Sequence, residues 1–182
     1  MNDLFFARNG DLYFTDQGST GLHDPTGRVF RYTADGKLTC LLDNVPSPNG
    51  LVMDLDEHAL YLAVTRANAI WRIGLAADGS VSKAGLFIQM SAGVGPDGLA
   101  LDTEGRLYVA HAGLGTVWGF ERTGEPWIRI RTPQGLQPTN LAFGGPNNRT
   151  LTITEAASGS LCQIQLPTPG KAMYSHVEPR AV

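Results

Sequence analysis

The chain is predicted to be all-β: a β-propeller of which about four blades, each a sheet of four antiparallel strands, are present. Three observations lead there. First, a short motif recurs: Asn49-Gly50-Leu51, Asp97-Gly98-Leu99 and Thr139-Asn140-Leu141 each follow a proline (Pro48, Pro96, Pro138), and an incomplete copy, Asn2-Asp3-Leu4, opens the chain. The leucines at 4, 51, 99 and 141 lie 47, 48 and 42 residues apart, and a period of about 40 to 50 residues is that of propeller blades and of some helical arrays. Second, each period holds several short β-rich runs separated by turn signals. Third, no segment sustains a helical apolar period over about 12 residues. The 22 glycines and 11 prolines are likewise too many for stacked helices.

The runs follow one another in the same order in every unit. A short apolar stretch begins at the anchor leucine. The second run is Leu12-Tyr13-Phe14-Thr15, Leu60 to Thr65, Leu107-Tyr108-Val109-Ala110 and Leu151-Thr152-Ile153-Thr154, with turn signals ahead of three of them at Asn9-Gly10-Asp11, Glu104-Gly105-Arg106 and Asn147-Asn148-Arg149. A third run, Arg28 to Tyr32, Ala69 to Ile73, Thr116 to Phe120 and Ser160 to Ile164, largely alternates apolar and polar residues, as a half-buried strand requires. It ends at a hairpin-type turn, Asp35-Gly36, Asp78-Gly79, Thr123-Gly124 or Pro169-Gly170. The fourth run is Leu38 to Leu42, Lys83 to Ile88, Trp127 to Ile130 and Ala172 to Ser175. A sheet apolar on both faces cannot stand alone, so neighbouring units must stack on it.

Composition narrows the function classes. A chain of 182 residues, 42% hydrophobic, can bury a sizeable core. A net charge of -3 without a basic stripe gives no electrostatic reason to expect a nucleic-acid partner. No apolar run approaches the roughly 18 residues of a membrane span, and Met1-Asn2-Asp3-Leu4 lacks the basic flank and apolar stretch of a signal peptide. Cys40 and Cys162 fall in strand runs at different repeat phases and read as buried small apolar residues, which fits a reducing cytoplasm. The expected organisation is one partial propeller over 1–175, with a loose tail at 176–182.

A polar side chain at one phase of such a repeat is carried to the same height around a shared axis. Asn49 and Asp97 stand at that phase. Asn or Asp before Gly is an ordinary turn former, and the same two side chains are hard oxygen donors suited to a divalent cation; spacing alone leaves both readings open. Asn140 reads as part of a blade motif. Asp16, His23 and His111 lie at or near loops, and a lone His is more often a satisfied residue than a catalyst. Trp71, Trp118 and Trp127 read as packing between blades.

Taken together, Asn2-Asp3-Leu4 with Leu12 to Asp16, Pro48 to Leu51, Pro96 to Ala100 with Gly105 to Ala110, Pro138 to Pro146, and the closing Pro167 to His176 resemble the senescence-marker-protein, regucalcin and gluconolactonase family of six-bladed propellers. The resemblance covers nearly the whole chain and implies N-terminal truncation by roughly two blades. It implies one divalent metal on the axis, with Ca²⁺ the leading expectation and Mg²⁺, Mn²⁺ or Zn²⁺ also accommodated. The metal would be held by Asn49, Asp97 and an acidic residue of the first blade that has no counterpart here. Asn2 would contact substrate, and Asp97 would double as general base in opening a sugar lactone or similar cyclic ester.

Four blades of six leave two open flanks, which invites self-association through exposed blade edges. A chain lacking the first-blade ligand is expected to show little lactonase activity by itself. Two other readings remain open at this point: a non-catalytic propeller that binds a small molecule, and an inactive remnant of such an enzyme.

Overall fold

The computed structural model describes residues 1–176. Apart from His176, the expected tail at 176–182 lies outside the described residues. Blade I comprises β1 (Leu4–Phe6), β2 (Leu12–Asp16), β3 (Gly27–Tyr32) and β4 (Leu38–Val45); blade II comprises β5 (Pro48–Met53), β6 (Ala59–Val64), β7 (Ala69–Leu75) and β8 (Val81–Gln89). Blade III is β9 (Gly95–Leu101), β10 (Leu107–Ala112), β11 (Thr116–Phe120) and β12 (Pro126–Arg131); blade IV is β13 (Pro138–Gly144), β14 (Thr150–Glu155) and β15 (Ser160–Gln165). Every sheet is an antiparallel meander in chain order, as short connections between successive strands favour. The innermost strands pack in sequence around an axis, β5 on β9 and β9 on β13, with β1 and β2 against β5.

Burial explains which runs lost their alternation. β6 (ALYLAV) and β10 (LYVAHA) are buried at every position, because blades II and III are covered on both faces. One apolar cluster joins blades I to III and a second joins III to IV. Trp71 and Trp118 pack on the first and Trp127 on the second, as expected of inter-blade residues. Buried threonines fasten the blades together: Thr15 Oγ1 donates to the Asn49 carbonyl at 3.0 Å, and Thr65 Oγ1 to the Pro96 carbonyl at 2.8 Å. Each spans one blade boundary and reaches a carbonyl of the neighbouring inner strand.

Two expectations are corrected. Blade IV has three strands among the described residues, and Ala172–Ser175 is not the fourth. Pro167 and Pro169 lack the amide hydrogens a ladder needs. The chain instead turns under the axis, where Gly170 bridges Asp102 and the Lys171 amide donates to the Leu101 carbonyl at 2.8 Å. Second, Cys40 is exposed and only Cys162 packs against the core; both thiols are free. Cys40 shares the outer face of blade I with Leu4, Phe14 and Phe30, which stand opposite one another in register. That face is apolar and uncovered, with Leu38 57% and Leu4 45% exposed. The outer face of blade IV presents Asn140, Thr152, Thr154 and Gln163. Among the described residues no helix is long and apolar enough to cross a membrane.

The blades approach most closely at two glycines of the repeated motif. A Cβ on Gly50 would collide with the Asp97 carbonyl oxygen and lie 2.8 Å from the Gly98 Cα; a Cβ on Gly98 would collide with the Asn140 side chain. Gly50→Ala should therefore cost about 2 to 4 kcal/mol in urea unfolding, since overpacking against backbone cannot relax by a rotamer change. Gly85→Ala, where the added carbon meets nothing within 4 Å, should stay within about 0.5 kcal/mol of the parent or gain slightly. Equal effects at the two glycines would contradict the packing described.

Candidate functional site

The inner strands begin at one end of the axis, and there the chain departs from regular pairing. In blade II the register slips between Pro48 and Leu51, in blade III opposite Val109 and His111, and in blade IV between Pro138 and Asn140. Each slip inserts one extra residue in the inner strand. A bulge of this kind re-aims a side chain locally, and it is why Asn49 and Asp97 leave the strand alternation and turn towards each other. Each is followed by the glycine that permits close approach.

Asn49 is buried, and its Nδ2 donates to Thr65 Oγ1 at 3.2 Å. The same side chain is within hydrogen-bonding reach of the Asp97 carboxyl. An amide whose nitrogen is so occupied offers its oxygen to an incoming ligand. The two residues singled out from the sequence are thus neighbours in space.

A third group joins them. The Asp3 carboxylate accepts from the Leu4 amide at 2.9 Å and also bonds the Leu51 amide of the next blade. It lies near enough to Asp97 for mutual repulsion. Burial first, and then the Asp3 charge, push the Asp97 carboxyl up to about 6 against the opposing bond from Asn49. Burial likewise raises Asp3, opposed by its two backbone donors. Neither carboxylate is in an ion pair among the described residues.

Two facing carboxylates and an amide oxygen, half-buried and without a cationic partner, are a hard-oxygen set that a divalent cation would neutralise. The donors present fit such an ion in type and charge. Their number is small: among the described residues no cluster of three or more His, Cys, Asp or Glu side chains could hold a metal.

Asn2 is exposed and donates to the Gln17 side chain at 2.9 Å. Asp3, which the repeat alignment passed over, sits at the start of blade I, where two residues face one: the Asn2 amide donates to the Thr15 carbonyl at 2.8 Å and the Thr15 amide to the Asp3 carbonyl at 3.0 Å. His111 is sealed in the interior, Nε2 3.0 Å from the Ala92 carbonyl and Nδ1 accepting from Trp118 at 3.3 Å. Burial lowers its pKa and keeps it neutral. Asn140 folds its Oδ1 onto the Leu141 amide at 2.8 Å, a backbone role as expected. A cavity of about 210 Å³ follows the inner strands down the axis, from Asp3 and Asn140 past Leu51, Leu99 and Leu141 to Lys171.

Comparison with known proteins supplies the context. Residues 1–157 match the family described as SMP-30/Gluconolactonase/LRE-like region. Lactonase drp35 of Staphylococcus aureus (strain MRSA252) is 34% identical over 137 residues, covering 73% of this chain and 42% of the relative. The Staphylococcus haemolyticus lactonase drp35 is 32% identical, covering 85% of this chain and 50% of the relative. Among solved structures, a calcium-binding regucalcin from Agrobacterium tumefaciens superposes with a TM-score of 0.78 at 28% identity, over 93% of this chain and 61% of that one. A gluconolactonase from Xanthomonas campestris gives 0.77 at 29%, over 91% and 57%. The chain spans half or less of the length of these curated relatives.

The raised carboxyl has a measurable consequence. A proton held more tightly at Asp97 in the folded than in the unfolded chain adds stability that is complete below pH 3.8 and lost as pH rises through about 6. Asp97→Asn cannot ionise and escapes that loss. In chelator-treated protein, the variant should match the parent near pH 4 and exceed it near pH 7.5 by on the order of 2 kcal/mol in urea unfolding. A difference that does not change between the two pH values would contradict the electrostatics assigned here.

Proposed function

The chain belongs to the SMP-30/gluconolactonase/LRE-like family, and on that premise we propose that it forms part of a divalent-metal-dependent hydrolase that opens a sugar lactone or similar cyclic ester. The juxtaposition of the Asp97 carboxyl and the Asn49 amide at the axis carries the reading. Lactonase names among the relatives and gluconolactonase among the solved neighbours support the reaction class. The calcium-binding regucalcin supports Ca²⁺ as the ion, and Mg²⁺, Mn²⁺ or Zn²⁺ would suit the same oxygens.

Asn49 and Asp97 would hold the metal, with Asp3 adding the second negative charge. When bound, such an ion supplies Lewis acidity towards a carbonyl oxygen. The remaining chemistry falls to the chain. Asp97, ionised above about pH 6 before any metal enters, would take a proton from the water that attacks the lactone carbonyl. Asn2, exposed and next to Asp3 in the chain, would bond substrate oxygens. The glycines behind Asn49 and Asp97 fix where these groups stand, so little reorganisation accompanies reaction. The uncovered apolar face of blade I supports self-association of the chain as given.

Substitution tests the reading. In the whole protein, Asp97→Ala should lower metal-dependent hydrolysis of an aldonolactone by at least about 10²-fold while the fold, followed by circular dichroism, is kept. Turnover that survives both the substitution and chelation would contradict the proposal.

A further inference from the structure

We infer that Lys171 is a positioning residue, a pin beneath the axis that sets how the strands bearing Asp3, Asn49 and Asp97 stand relative to one another. The inference rests on the site proposed above. Lysine is seldom fully buried, yet Lys171 is 2% exposed. Its three ammonium protons have three acceptors: the Met53 carbonyl at 3.2 Å, the Asp54 carbonyl at 3.0 Å and Glu57 Oε1 at 3.0 Å. The charge also sits 5.0 Å from the centre of the Phe5 ring. Its own amide donates to the Leu101 carbonyl at 2.8 Å.

The contacts sort by strand. Met53 ends β5, which carries Asn49 near its start; Leu101 ends β9, which carries Asp97 near its start; Phe5 lies on β1, immediately after Asp3. One residue therefore grips the lower part of each strand whose upper end supplies a donor. From Asn49 to Met53 is four residues, about 13 Å at strand rise. The strap that delivers the lysine comes from blade IV: Gly170 donates to the Asn148 carbonyl at 2.8 Å, and Asn148 Nδ2 returns a bond to Gly170 at 2.7 Å. Beyond it, Tyr174 stacks on Phe6 at 5.7 Å, so the strap runs from the last blade to the first. The ammonium thus ties the end of β5 and the turn that follows it to β1, while the Lys171 amide holds the end of β9.

The test compares Lys171→Met with the double variant Lys171→Met/Glu57→Gln, which leaves no buried carboxylate unpaired and so keeps the fold within reach. Val117→Ala, in a fully buried position of β11, serves as a destabilised control. Hydrogen exchange, read by mass spectrometry, should rise at least about tenfold at 49–51 and 97–99 in the lysine variants relative to the outer strands; the control should rise evenly. An even rise in the lysine variants overturns the inference. Calcium titration by calorimetry adds a second readout: where the parent binds Ca²⁺, the double variant should bind at least about tenfold more weakly while folded, and equal affinity overturns the pin. A parent that binds no Ca²⁺ counts against the proposed metal site, and the exchange pattern then decides the role of Lys171.

Discussion

The site depends on how closely neighbouring inner strands come together at the axis. Backbone lies on backbone where Gly50 meets Asp97 and Gly98, and only a residue without a Cβ allows that approach. Asn49 and Asp97 are therefore neighbours through main-chain packing rather than through reach of their side chains. The Thr65 bond to Pro96, from just beyond β6, holds the same boundary, and the Thr15 bond to Asn49 holds the one before it. The geometry thus belongs to the blades as stacked units, and no single blade holds it.

That arrangement carries an electrostatic cost. It brings Asp3 and Asp97 together in a half-buried place, raising both carboxyls, with Asp97 reaching about 6. Two carboxylates without a nearby cation oppose folding above that pH. Proteins hold such arrangements where a ligand relieves them, and functional sites are where perturbed carboxyls gather. At the other end of the axis the logic is reversed: a buried lysine is fully matched by two carbonyls and Glu57. The charged end without a partner faces the candidate site, and the satisfied end closes the molecule.

Much of the fold was legible because it repeats. The proline-donor-glycine-leucine motif marked the inner strands of blades II and III, and alternation marked the third strands. The shared phase of Asn49 and Asp97 placed them at one height about the axis, and the family resemblance supplied their joint role as ligands. Asp3 was not legible, since its copy of the motif lacks the proline and glycine and puts Asn2 at the phase of Asn49. A motif alignment therefore points to Asn2, whereas it is the Asp3 charge that lies beside Asp97. That blade IV has three strands among the described residues was obscured by Ala172–Ser175, whose composition suits a strand. Tertiary contacts draw that segment under the axis instead, with Lys171 as its anchor. Cys40 misled for a related reason: its run is a strand, but no blade among the described residues covers the face it occupies.

The central claim is that the oxygens of Asn49 and Asp97, together with Asp3, converge on one cation. Crystals grown with Mn²⁺ and measured near the manganese absorption edge test it directly. The account predicts one anomalous peak at the axial end of β5 and β9, within coordinating distance of the Asn49 amide oxygen and the Asp97 carboxylate. A manganese peak bound elsewhere, with these two side chains free of it, would contradict the account.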